Sequence, residues 1–272
     1  MFVAICCAMI VLALAMPATG RAEPLFIAHR GASFDAPENT LAAFRLAWEQ
    51  GADGIEGDFR LTADGRIVCI HDADTKRVSG KELVVKDASY ANLKGLDVGA
   101  WKADKWRGET IPSLEEVLAI VPRGKYLFIE LKSGPEVVAP LAEVLKRGRP
   151  EVDRIVIICF DADVLVACQE KLPQYKRHFL ADYRRQDDGT WTQSVDEVIA
   201  KIRRTQAHGL GTQNRPEYFD EKFVERLRSA SINEFHVWTV DDPAHARMYQ
   251  QLGAWALTTN RPAELRAALG ER

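Results

Sequence analysis

From Leu25 onward, short apolar runs alternate with longer stretches whose apolar residues recur at helical spacing. The short runs predict strands at 25–29, 54–61, 126–132, 154–160, 178–182, 209–213, 234–240 and 254–258. Between them, one helix follows Asn39, with Leu41, Phe44, Leu46, Ala47 and Trp48 on its apolar face. Others are predicted at 113–120, 137–146, 162–171, 195–205, 221–230 and 244–252. Two starts are marked: Ser113 and Glu116 have capping-box spacing, and Asp242-Pro243 pairs an N-cap residue with proline at the first helical position. Strands that each lead into a helix predict an α/β protein of the (β/α)8 TIM-barrel type. An open Rossmann sheet is disfavoured, because no G-x-G-x-x-G follows the first run.

One segment breaks the alternation. The run 54–61 is followed by Asp64-Gly65 and a second apolar run, 66–70, which reads as a hairpin returning antiparallel. Strand alternation puts Glu56 and Asp58 on one face. A two-residue turn at Asp64-Gly65 pairs Ala63 with Arg66 and so predicts that Asp58 lies opposite His71. Residues 73–111 fit no strand–helix unit and read as a small, lid-like insertion on the loop face, too poor in core residues to be a domain.

The 272 residues carry a net charge of −3, so the basic footprint of a nucleic-acid binder is missing. The N-terminus is distinctive: an apolar run from Phe2 to Met16 precedes small Gly20 and Ala22. That pattern predicts a secretory signal peptide over 1–22, a mature chain from Glu23, and export to the periplasm or medium. The run is short for a membrane span, and no Lys or Arg precedes it. Cys69, Cys159 and Cys168 remain in the mature chain in apolar settings, as buried thiols or with one disulfide. No C-x-x-C pair supports a thiolate zinc site.

Barrel enzymes carry their chemistry at the C-terminal ends of the strands. Here those ends hold His29-Arg30-Gly31, Glu56 with Asp58, Glu130-Leu131-Lys132, Trp238, and Thr259-Asn260-Arg261. Together with Pro37-Glu38-Asn39-Thr40, Leu61-Thr62-x-Asp64-Gly65, His71-Asp72, Ile111-Pro112-Ser113 and Trp238-Thr239-Val240, this series resembles the glycerophosphodiester phosphodiesterase family. The resemblance runs through the whole chain after residue 22. Two positions depart mildly from the family pattern, Gly57 in place of a larger apolar residue and Asn260 where aspartate is frequent.

The resemblance implies a barrel of the phospholipase C-like phosphodiesterase type, with the insertion at 73–111. It also implies metal-dependent hydrolysis of glycerophosphodiesters to sn-glycerol 3-phosphate and an alcohol. Glu56, Asp58 and Glu130 would be hard oxygen ligands to one divalent ion, Mg²⁺ or Ca²⁺. Three carboxylates outweigh a divalent cation and a phosphodiester adds further negative charge, so Arg30 and Lys132 are assigned to the phosphate. His29 and His71 are assigned to acid–base catalysis, one taking a proton from the attacking group and the other protonating the leaving alkoxide. The attacking group is either the glycerol 2-hydroxyl, giving a cyclic phosphate later opened by water, or a water activated by the metal.

Trp238 is assigned to the wall against the glycerol moiety, on the family motif. Asn39 is read as the cap of the helix that follows it, and Glu38 as an acid of its first turn. His178, His208, His236 and His245 have no motif partner and read as structural or exposed. Two rivals carry less weight: a lysophospholipase D or sphingomyelinase-D-like activity, which needs an apolar groove that Trp101 and Trp106 alone do not provide, and a barrel that binds phosphodiesters without turnover.

Overall fold

The computed structural model describes residues 23–270, so the signal peptide expected over residues 1–22 lies outside the described residues. Strands β1 (Leu25–His29), β2 (Gly54–Leu61), β3 (Ile67–Cys69), β4 (Tyr126–Leu131), β5 (Ile155–Cys159), β6 (Lys176–Ala181), β7 (Gly209–Gln213), β8 (Phe235–Trp238) and β9 (Ala256–Thr259) form one sheet. All except β3 run parallel, and β1 pairs with both β2 and β9, which closes an eight-stranded barrel. Among the described residues no helix is long and apolar enough to cross a membrane.

Two apolar layers hold the barrel. Outward-facing residues such as Phe26, Ile55, Ile129 and Ile157 pack under the helices, while Ile27, Phe128, Val156, Ile158 and Leu180 fill the interior. Helix starts follow local capping chemistry. Ser113 and Glu116 form a reciprocal capping box before Leu114–Leu118, and Asp242 caps Pro243–Leu252 through Ala244 N. The chain adds a last helix, Pro262–Ala268, which the apolar pattern does not announce.

Three sequence expectations are corrected. The hairpin register pairs Phe59 with Cys69, Arg60 with Val68 and Leu61 with Ile67. Asp58 therefore faces Ile70, whose N–H donates to Asp58 O at 2.8 Å, and not His71. The cause is Thr62: its N–H donates to Arg66 O at 2.9 Å, and its Oγ1 accepts from Arg66 N at 2.9 Å. That closes a three-residue loop in which Gly65 has φ of +74°.

Asn39 is not a helix cap. Thr40 caps Leu41–Glu49 by accepting from Ala43 N, and Asn39 sits in the left-handed region at φ +59° with its side chain turned elsewhere. Glu38 consequently lies before the helix and joins Arg30 to Arg77.

The insertion is better packed than its sequence suggests. Val78, Val85, Leu93, Leu96, Val98 and Ile111 make a separate small core against Val68 and Ile70 of the hairpin's return limb. Its short helix Lys76–Ser79 delivers Arg77 to Asp72 and Glu38, so the segment braces the barrel rim.

Candidate active site

Two neighbouring parallel strands, β2 and β4, bring the acidic residues together. Glu56 and Asp58 alternate onto the inner face of β2, and the β2–β4 register sets Asp58 beside Glu130. All three are buried, and an oxygen from each lies within 4.8 Å of the others. Glu56 Oε1 accepts no hydrogen bond from the described residues. Asp58 Oδ1 faces the Lys132 ammonium at 3.2 Å, and Glu130 Oε1 is paired with the same ammonium. Arg30 Nε approaches Asp58 Oδ2 at 3.1 Å, and Arg30 N donates to Glu56 Oε2 at 2.9 Å.

The charges do not balance within the protein. Burial, then the Asp58 and Glu130 charges, push the Glu56 carboxyl well above its ordinary range. Burial, then Asp58, push Glu130 up to about 7. Burial also raises Asp58, but Arg30, Lys132 and His71 outweigh it and hold that carboxyl low. Three buried carboxylates that converge on two cationic side chains, with Glu56 Oε1 left without a donor, are the arrangement a hard divalent cation satisfies, so the residues fit such an ion.

Two imidazoles border this centre. His29 and His71 line one cavity of about 120 Å³ together with Arg30, Glu56, Glu130 and Lys132. His29 ends β1, and its Nδ1 lies 2.8 Å from Asn260 Oδ1. Burial, then the Arg30 charge, push the His29 imidazolium down to about 4, which leaves a neutral ring at pH 7. His71 lies past the end of β3, and its Nδ1 is 2.7 Å from Asp72 Oδ1. Its arrival in the cavity is therefore set by the loop rather than by strand alternation. Trp238 and Phe160 close the far wall, edge to face, at 5.5 Å between ring centroids.

Several residues that position these groups escape a reading of the strand ends. Asn39 Nδ2 donates to Asp58 Oδ2 at 2.8 Å, while its Oδ1 accepts from Asp58 N at 3.1 Å. Arg60 Nε and Nη2 donate to His71 O, at 2.9 and 2.7 Å, and Nη1 donates to Lys132 O at 3.1 Å. Alternation along β2 places Arg60 in register with Glu56 and Asp58, and that was the available signal. Thr258 also lines the cavity, and neither its Oγ1 nor Trp238 Nε1 has a hydrogen-bond partner among the described residues.

The other histidines divide. His178 and His236 are buried and stacked inside the barrel, and His236 reaches the base of the cavity. His208 accepts from Arg177 N at 3.1 Å through Nδ1. Cys69, Cys159 and Cys168 are free and buried.

Fold and site together define a closed β/α barrel with an acidic centre, flanked by two cationic side chains and two imidazoles. The chain belongs to the glycerophosphoryl diester phosphodiesterase family, whose sequence profile matches residues 29–264. It is 34% identical over 250 residues to a glycerophosphodiester phosphodiesterase of Caldanaerobacter subterraneus subsp. tengcongensis, covering 89% of this chain and 96% of that one. Its fold is similar to that of an Oleispira antarctica phosphodiesterase solved in complex with the product sn-glycerol-3-phosphate. The TM-score is 0.81 at 28% identity, covering 91% of this chain and 97% of the other. A Thermotoga maritima glycerophosphodiester phosphodiesterase gives a TM-score of 0.72 at 27% identity, covering 91% and 99%.

Proposed function

We propose that this chain hydrolyses glycerophosphodiesters to sn-glycerol 3-phosphate and an alcohol, using a divalent cation held by Glu56, Asp58 and Glu130. The observation that carries this reading is the convergence of three carboxylate oxygens within 4.8 Å, beside a cavity that Glu56 and Glu130 line together with His29, His71, Arg30 and Lys132. When bound, an ion of the Mg²⁺ or Ca²⁺ type would offset the carboxylate charge and draw electron density from a phosphoryl oxygen.

The protein's own groups divide the remaining work. Arg30 and Lys132 bind the non-bridging phosphate oxygens, the guanidinium through its fork and the ammonium as a point charge. Trp238 walls the glycerol, and its indole N–H, with Thr258 Oγ1, offers partners to glycerol hydroxyls. His29, neutral with an amide behind it, takes the proton from the attacking hydroxyl as the new O–P bond forms. His71, with a carboxylate behind it, gives a proton to the alkoxide as the old P–O bond breaks. The attacking hydroxyl is the glycerol 2-OH or a water; release of a cyclic phosphate from slowly hydrolysed substrates distinguishes the two.

A cleft of about 250 Å³ adjoins the site, shares His29 and Arg30 with it, and is bordered by Phe34, Trp101 and Lys102. The insertion's aliphatic side chains are spent on its own core, which favours short head groups over an acyl chain and ranks a lysophospholipase D activity lower. The apolar run at 2–16 supports export of the enzyme, with residues 1–22 removed. The test is release of glycerol 3-phosphate from choline, ethanolamine, glycerol and inositol diesters, with EDTA and separate Mg²⁺ and Ca²⁺ add-back. Turnover that EDTA leaves untouched, or no release from any of the four, would sink the proposal.

A further inference from the structure

Behind His29 runs a short hydrogen-bonded chain that ends in a carboxylate. Asn260 Oδ1, 2.8 Å from His29 Nδ1, also accepts from Ser33 Oγ at 2.8 Å. On its other side, Asn260 Nδ2 donates to Asp241 Oδ2 at 2.6 Å. Asp241 Oδ1 accepts from Asn260 N at 2.8 Å and from Thr259 Oγ1 at 2.9 Å. The loop after β8 thus grips the end of β9 by both backbone and side chain.

The chemistry of these groups fixes their direction. An ionised carboxylate only accepts, so the Asn260 amide must turn its NH₂ toward Asp241; the flipped amide would set two oxygens 2.6 Å apart. Asn260 Oδ1 is thereby aimed at His29. A neutral imidazole meeting an acceptor at Nδ1 must carry its proton there, which leaves the Nε2 lone pair free. We propose that Asp241, acting through Asn260, is a positioning residue that sets the His29 tautomer and aims Nε2 as the base. This rests on the reading of His29 as proton acceptor. Neither Asp241 nor Asn260 touches the reacting atoms. Placing the carboxylate one residue back orients the ring without adding negative charge beside a phosphodiester.

The first measurement needs no variant other than a reference for assignment. ¹⁵N-edited NMR of the metal-free protein, with the His29 signal identified by its loss in His29→Ala, should show the Nδ1–H tautomer. An Nε2–H tautomer would overturn the inference whether or not any other variant folds. Kinetics give the second measurement. Asn260→Ala should leave KM nearly unchanged and lower kcat about ten- to a hundredfold, the usual loss for a group that orients a catalytic ligand. Asn260→Asp sets two carboxylates against each other and should lose as much, while Asp241→Asn/Asn260→Asp restores matched donors and acceptors and should recover most of it. An unchanged kcat in Asn260→Ala, or a double variant no better than Asn260→Asp with both melting like the wild type, also overturns it. Full turnover in His29→Ala instead removes the assignment of His29 as base, leaving the spectrum to judge the hydrogen-bonded chain alone.

Discussion

Asn39 and Asp58 exchange two hydrogen bonds, side chain to side chain at 2.8 Å and backbone N–H to side chain at 3.1 Å. The pair ties the loop after β1 to the middle of the acidic centre. It also explains why Asn39 accepts a left-handed backbone, at φ +59°, one residue before the true helix cap. Asn39→Ala removes the donor from a buried charged acceptor, and should lower the unfolding free energy by about 2–3 kcal/mol. Asn39→Asp should destabilise the metal-free protein further, since it puts another carboxylate beside Asp58. Urea unfolding in EDTA measures both; equal stability of wild type and Asn39→Ala would refute the role given to this pair.

The acidic centre should be a cost to the metal-free protein. Glu130, raised to about 7, is a carboxyl whose folded-state pKa exceeds its unfolded one. Such a group contributes stability below the unfolded pKa and loses it as pH rises through the folded value. In EDTA, the stability of Glu130→Gln relative to wild type should therefore grow between pH 5 and pH 8. With Mg²⁺ or Ca²⁺ present the order should reverse, because the variant lacks a ligand. Thermal melts with and without the ion give both comparisons, and a wild type that gains nothing from either ion removes the assigned ligand set.

Much of this architecture is legible because strands and helices advertise themselves locally. The bounds 25–29, 54–61 and 209–213 coincide with β1, β2 and β7, where apolar runs end at polar rims. The convergence of Glu56, Asp58 and Glu130 follows from alternation and a parallel neighbour, both of which sequence encodes. What is not legible depends on one side chain choosing between backbone partners. Thr62 bonds to Arg66 and lengthens the hairpin loop by one residue, which moves the opposite of Asp58 from His71 to Ile70. Thr40 and Asn39 are both good caps, and only the presence of Asp58 across the loop decides which is used. The His178–His236 contact spans 58 residues and leaves no local trace.

Loss of either imidazole should slow turnover without emptying the acidic centre. His29→Ala and His71→Ala should each lower kcat by about 10²–10⁴, the range for a positioned acid or base. Metal affinity by calorimetry should stay close to wild type, since neither ring is a ligand. Asp72→Asn should fall between, because its partner His71 keeps the ring in place but loses the carboxylate behind it. A substrate with an activated leaving group such as p-nitrophenol should rescue His71→Ala and not His29→Ala. Rescue of both, or of neither, would refute the division of roles.

Inside the barrel, His178 Nδ1 lies 2.9 Å from His236 Nδ1, and His178 Nε2 lies 2.7 Å from Glu234 Oε1. Glu234 is ion-paired with Lys176 at 2.8 Å, and the Lys176 and His208 side chains are the other titratable groups nearby. With Glu234 accepting from Nε2–H, a neutral His178 accepts at Nδ1 and His236 donates. Burial lowers both imidazolium pKa values, against the Glu234 charge at His178, and at His236 protonation of His178 would add to it. Groups lowered in this way contribute stability above the unfolded value near 6.5 and lose it as pH falls toward the folded one. Each imidazole should therefore withdraw up to about 1.4 kcal/mol per pH unit below that point. His236→Gln keeps a donor for His178 Nδ1 but cannot titrate, so its urea midpoint should fall less steeply than the wild type's between pH 6.5 and 5. Parallel slopes for the two proteins would show that the pair does not stay neutral in the fold.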